Sequence, residues 1–142
     1  MATVELRFSA LPEHVRTARL VAAAVARRAG VDEAVLDEVR LAVGEACTRA
    51  VGLHLSNGVE APVRVSLTEE EKKFSIEVGD ESPTSAALAS GSHPEMDDEA
   101  EGEDEMGLAV ISGLVDDVEV TTSESGGVIR MSWPTSPQPV VS

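Results

Sequence analysis

The chain has 142 residues, enough for one domain with a sizeable core, and 26 Asp and Glu against 11 Lys and Arg give it a net charge of −15. Its aromatic residues are Phe8, Phe74 and Trp133, so the core must be built from Ala, Val and Leu. No apolar run approaches the roughly 20 residues of a membrane span, no signal peptide is read at the start, and Cys47 alone excludes an internal disulfide framework. A cytoplasmic location without membrane contact is expected.

The charge is unevenly placed: after Lys73 the only Lys or Arg is Arg130, and almost all of the net negative charge lies in 74–142. That disfavours direct contact with nucleic acid, which begins with neutralising phosphates. It suits a basic protein partner or simple solubility.

In chain order, "TVELRF" (3–8) alternates Val4, Leu6 and Phe8 with polar residues and predicts a half-buried strand. Residues 10–30 predict a helix, with Pro12 and Glu13 in its first turn, Arg27 and Arg28 in its last, and Gly30 after it. Val15, Ala18, Ala22, Val25, Ala26 and Ala29 form its apolar face. Residues 31–54 predict a second helix capped by Asp32, with Val35, Val39, Ala42, Val43, Ala46 and Ala50 on one side. "SNGVEAP" (56–62) interrupts. Strands follow at 63–67 and 73–80 across a charged turn, and at 117–122 and 127–133 across "SESGG". A short apolar helix is expected over 107–115.

Hairpin-linked strands imply a largely antiparallel sheet, and the helices should cover one face. The expected fold is an α+β two-layer sandwich. A single domain is read over 1–134, with an acidic, mobile lid at 82–105 and a flexible tail at 135–142. For the lid, a plain disordered loop is the alternative.

Several stretches resemble one family: "FSAL" (8–11) opening into a helix with "TAR" (17–19), "LAVGEACTRAV" (41–51), "IEVGDE" (76–81), "MGLAVISGLVDDVEV" (106–120) and "GGVIRMSW" (126–133). In this order and spacing the chain resembles the anti-sigma factors with a histidine-kinase-like ATPase fold, the serine kinases of bacterial partner switching. The resemblance covers about Phe8 to Trp133. It implies that Glu45 is the catalytic glutamate, that position 49 should hold magnesium, that Asp80 accepts from the adenine amino group, and that Gly107 belongs to the last phosphate-binding turn. It also implies a homodimer, and a first helix that contacts a sigma factor and an anti-anti-sigma protein through Arg19, with Arg16 one turn earlier.

The sequence departs from the family where nucleotide is held. The family helix reads E-A-x-T-N-A, but Arg49 stands where the asparagine belongs. A guanidinium has no lone pair to offer a metal. It could touch phosphate, or simply pair with Glu45 one turn away. The family's D-x-G-x-G is here Asp80-Glu81-Ser82-Pro83-Thr84, with both glycines lost. One glycine, Gly107, remains of G-x-G, and a run of acids replaces a basic lid. An acidic side chain near Glu105 is expected to cap the helix at Gly107, filling the phosphate site. A divalent cation held by the acids is the other possibility, although they lack the spacing of a calcium loop.

His14, His54 and His93 lack metal-ligand spacing, Cys47 reads as a packed thiol, and no P-loop or nucleophile elbow occurs. The expectation is thus an anti-sigma factor that binds a sigma factor, an anti-anti-sigma protein, or each in turn, through a degenerate ATP site. No cofactor is expected, with ATP and magnesium required only if the site works. The alternatives are an active serine kinase using Glu45 and Asp80, and a non-catalytic scaffold whose acidic segment docks a basic partner.

Overall fold

A computed structural model describes residues 2–82, 111, 113, 115, 117–123 and 126–135. The elements are β1 (Ala2–Phe8), α1 (Pro12–Ala29), a 3-10 turn (Glu33–Val35), α2 (Leu36–Asn57), β2 (Val63–Glu70), β3 (Lys73–Asp80), β4 (Asp117–Ser123) and β5 (Gly126–Pro134). The strands form one five-stranded sheet in the order β1-β2-β3-β5-β4, antiparallel at every pairing. The expected α+β two-layer sandwich is the observed fold.

Register explains the two layers. Val4, Leu6 and Phe8 lie opposite Leu67, Val65 and Val63; these oppose residues of β3, where Ile76 and Val78 in turn oppose Met131 and Ile129. Because side chains alternate across a strand, this row set is one face, and its members on β2, β3 and β5 are buried. The two helices pack on it through small residues. Ala18, Ala22 and Ala26 of α1, and Ala42, Val43, Ala46 and Ala50 of α2, are all buried. Phe74 and Trp133, stacked with ring centroids 6.4 Å apart, fill the end of the core that alanine cannot.

The opposite face is polar. Ser75 and Ser132, facing one another on β3 and β5, share a 3.1 Å hydrogen bond, and the Ser75 hydroxyl donates to Glu70 Oε2 at 3.3 Å. Glu70 also draws in Lys73 at 3.4 Å and Arg130 at 3.7 Å. Such ion pairs at a wet surface contribute little each.

Helix boundaries follow backbone chemistry. Pro12 opens α1, and Gly30 closes it at φ 101°, where its N–H reaches the Ala26 and Arg27 carbonyls. The second helix differs from expectation at both ends. Asp32 caps the 3-10 turn by accepting from Ala34 N at 3.0 Å, so α2 starts only at Leu36. It then runs three residues beyond the expected His54, to Asn57, before Gly58 turns the chain at φ 63°. Within α2, Gly44 costs about 0.5–1 kcal/mol relative to alanine by helix propensity. Of the short helix expected at 107–115, the described positions Ile111 and Gly113 are helical, and Val115 N donates to Ile111 O at 2.9 Å. The remainder of that stretch, most of the 82–105 segment and the tail beyond Thr135 lie outside the described residues.

Cys47 is fully buried in the face of α2 that meets the core, and desolvation pushes its thiol from the ordinary 9.0 up to about 12. Burial penalises the thiolate, so the native thiol is a poor nucleophile. Cys47 should react with a disulfide reagent at pH 8 only at the rate of global unfolding, and at once in denaturant. The unfolded chain releases this proton near pH 9 while the folded chain keeps it to about pH 12, so stability falls across that window. The slope is at most about 1.4 kcal/mol per pH unit, and urea melts of Cys47→Ala should lose it.

Candidate functional site

The second helix carries the resembling motif, and the end of β3 delivers Asp80 to it. Asp80 lies on the helix-facing side of the sheet because it shares the parity of Ile76 and Val78. It is 3% exposed. Arg49 projects from α2 toward it, with Nη1 4.0 Å from Asp80 Oδ2 and only 9% of its side chain exposed. At that distance the two groups form an ion pair rather than a hydrogen bond. The other carboxylate oxygen, Oδ1, accepts from the Ser82 backbone N–H at 2.9 Å.

The structure thereby brings together two of the sequence-selected residues, but not as the helix alone suggested. Among the described residues Glu45 makes no ion pair with Arg49, and the i,i+4 pairing gives way to the buried contact with Asp80. Helix geometry puts Glu45 one turn away on the same side of α2, where it is partly exposed. Gly107, the acidic run at 95–105 and the expected cap by Glu105 lie outside the described residues.

Residues that sequence reasoning passed over hold this corner in place. His54, fully buried, bridges two chain segments: Nδ1 donates to Ala61 O at 3.0 Å, and Nε2 accepts from Glu81 N at 2.9 Å. Since a carbonyl only accepts, the ring is the neutral Nδ1–H tautomer. Asn57 Nδ2 donates to Leu53 O at 2.7 Å and to Ser82 Oγ at 3.4 Å. Ser82 is itself fully buried, so the ordered wall of the site extends into the first residue of what sequence marks as the lid. The periodicity signals His54, which falls four residues after Ala50 and seven after Cys47 on the buried stripe.

Behind Asp80, Gly126 at φ 141° brings the start of β5 against the strand end, and a Cβ there would overlap the Asp80 carbonyl. The first helix packs against α2. Its Arg16 and Arg19 are exposed and, among the described residues, unpaired, and neighbouring Leu20 is 58% exposed.

Three substitutions test this geometry. His54→Leu removes the partners of Glu81 N–H and Ala61 C=O together, and should lower stability by about 2–4 kcal/mol in denaturant melts. Arg49→Met leaves the Asp80 carboxylate buried without this cation and should cost about 3 kcal/mol. Adding Asp80→Asn, which keeps the acceptor for Ser82 but removes the charge, should recover a large part of that loss.

Comparison with known proteins gives the site its context. Residues 8–133 match the histidine kinase-like ATPase domain family. The serine-protein kinase RsbW of Oceanobacillus iheyensis is 29% identical over 134 residues, covering 91% of this chain and 84% of that protein. The RsbW of Halalkalibacterium halodurans is 28% identical over 139 residues, 92% of this chain and 82% of its own. RsbW of Listeria monocytogenes is 28% identical over 137 residues, 92% and 86% respectively. The crystal structure of the RsbU and RsbW domains of Rv1364c from Mycobacterium tuberculosis shares the fold, with a TM-score of 0.67 at 16% identity. The match covers 100% of this chain and 35% of that one. No helix among the described residues is long and apolar enough to cross a membrane. With the family matched from Phe8 to Trp133, the fold shared and the motif helix set against Asp80, the chain belongs to the histidine kinase-like ATPase domain family.

Proposed function

We propose that this chain is a partner-switching anti-sigma factor that works by binding, and that its ATP site is degenerate. The observation that carries this reading is the buried Arg49–Asp80 pair. The carboxylate that would accept from an adenine amino group already faces a guanidinium at 4.0 Å and a Ser82 N–H at 2.9 Å. The seat of a magnesium ligand is held by a side chain with no lone pair to give. A second cation beside Arg49 would meet repulsion in a poorly screened place. The residues present therefore do not fit magnesium-bound ATP, and no reaction step is derived through it.

What remains is a binding surface. Arg16 and Arg19 stand exposed with no ion pair among the described residues, next to the exposed Leu20, in a chain that is otherwise strongly acidic. Two unpaired guanidinium forks beside an apolar side chain suit an acidic partner surface with an apolar centre. The partners are a sigma factor, an anti-anti-sigma protein, or each in turn, and the chain acts as a homodimer in the cytoplasm.

The second reading, an active serine kinase, is favoured by the names of the relatives and by Glu45, which stays clear of Arg49. Calorimetry separates the two. ATP with and without magnesium should give no micromolar uptake, and candidate sigma and anti-anti-sigma proteins of the host should bind regardless of nucleotide. Micromolar uptake together with phosphoserine on an anti-anti-sigma protein would establish the kinase instead. Arg19→Glu should weaken partner capture at least about 30-fold, about 2 kcal/mol, with thermal stability unchanged.

A further inference from the structure

We infer that Gly44 is a positioning residue for Arg19: its bare Cα on α2 is the seat on which the arginine side chain is laid down, making the partner surface a composite of α1 and α2. This rests on the reading of Arg19 as a partner-binding residue. A Cβ built on Gly44 would lie 3.0 Å from Arg19 Cδ, 3.4 Å from Nε and 3.5 Å from Cγ. These are the three nearest heavy atoms, all from one side chain, so the space left by the glycine is filled by Arg19 and not by backbone. Gly52, two turns on in the same helix, has nothing within 4 Å of the equivalent point. A glycine in α2 therefore does not of itself receive a side chain; position 44 does.

The contact has a direct consequence for recognition. A long arginine loses rotamer freedom whenever it is fixed by a partner, and one already laid in place loses less. Among the described residues Arg19 makes no ion pair or hydrogen bond, so no polar contact competes for its direction. Packing of Cγ, Cδ and Nε along α2 orders the stem and leaves the guanidinium available for bidentate contact with a carboxylate. A side chain at position 44 would lift the stem off the helix. Because Arg19 is flexible, such a change displaces it without forcing the backbone apart.

The experiment is a double-mutant cycle on the full chain, read by affinity for the sigma factor or anti-anti-sigma protein that the wild type captures. Gly44→Ala should raise the Tm by about 2–5 °C, since alanine favours the helix, yet weaken the partner about threefold. Gly44→Leu should weaken it about tenfold. In an Arg19→Ala background neither change should alter affinity by more than about twofold, because the effect runs through Arg19. Unchanged affinity in Gly44→Leu, or equal losses with and without Arg19, overturns the proposal while leaving the anti-sigma reading intact. If the wild type captures no such partner, that reading falls, and ¹⁵N relaxation of the Arg19 Nε–H decides the seat separately. An ordered Nε–H in the wild type that becomes mobile in Gly44→Leu supports it; equal mobility in both overturns it.

Discussion

A guanidinium and a carboxylate buried in contact fix where α2 meets the end of β3. Arg49 and Asp80 each lose most of their hydration, and at 4.0 Å each offsets part of the other's loss. The helix is thereby tied to the end of the strand. The Glu81 N–H donating to His54, and Asn57 donating to Ser82, extend the tie by two residues, and Gly126 closes the corner from behind. A corner held by these contacts is consistent with the proposed role as a platform for binding.

The scarcity of aromatic residues has a structural counterpart. Alanine and valine fill most of the buried positions of α1 and α2, which pack against each other. The stem of Arg19 is thin when it lies flat on a glycine. Small residues let the helix layer seat on the sheet, and the bare Cα of Gly44 leaves the room that the Arg19 stem occupies. The apolar bulk removed from the helices reappears on the sheet, where Leu67, Phe74, Ile76, Met131 and Trp133 fill the space beneath them.

Much of this fold was legible in the sequence because hydrophobic period and turn chemistry agree. Alternation in 3–8 and 73–80, the two hairpins, and Gly30 after Arg27-Arg28 all correspond to observed features. The start of α2 was less legible, since Asp32 is a sound cap whether a 3-10 turn or an α-helix follows. The site was legible only by parts. Glu45, Arg49 and Asp80 could be selected one at a time, but i,i+4 spacing pointed Arg49 at Glu45. Only the sheet register, which turns Asp80 toward the helix, brings in the competing carboxylate. His54 illustrates a different gap: its place on the buried stripe was visible, while its partners Ala61 and Glu81 are set by how two loops converge.

The placement of charge connects these observations. Among the exposed arginines of α1, Arg16 and Arg19 make no ion pair with the described residues, whereas Arg27 and Arg28 each lie within 4 Å of a carboxylate. The one arginine buried in the motif helix is the one that meets Asp80. A chain with net charge −15 repels acidic surfaces at long range, so an acidic partner can be held only where cations are both unpaired and oriented. Screening shortens that repulsion to about 8 Å at physiological ionic strength, which leaves short-range geometry to decide the outcome. Seating an arginine in advance is the kind of device such a chain requires, because its overall field cannot guide that partner in.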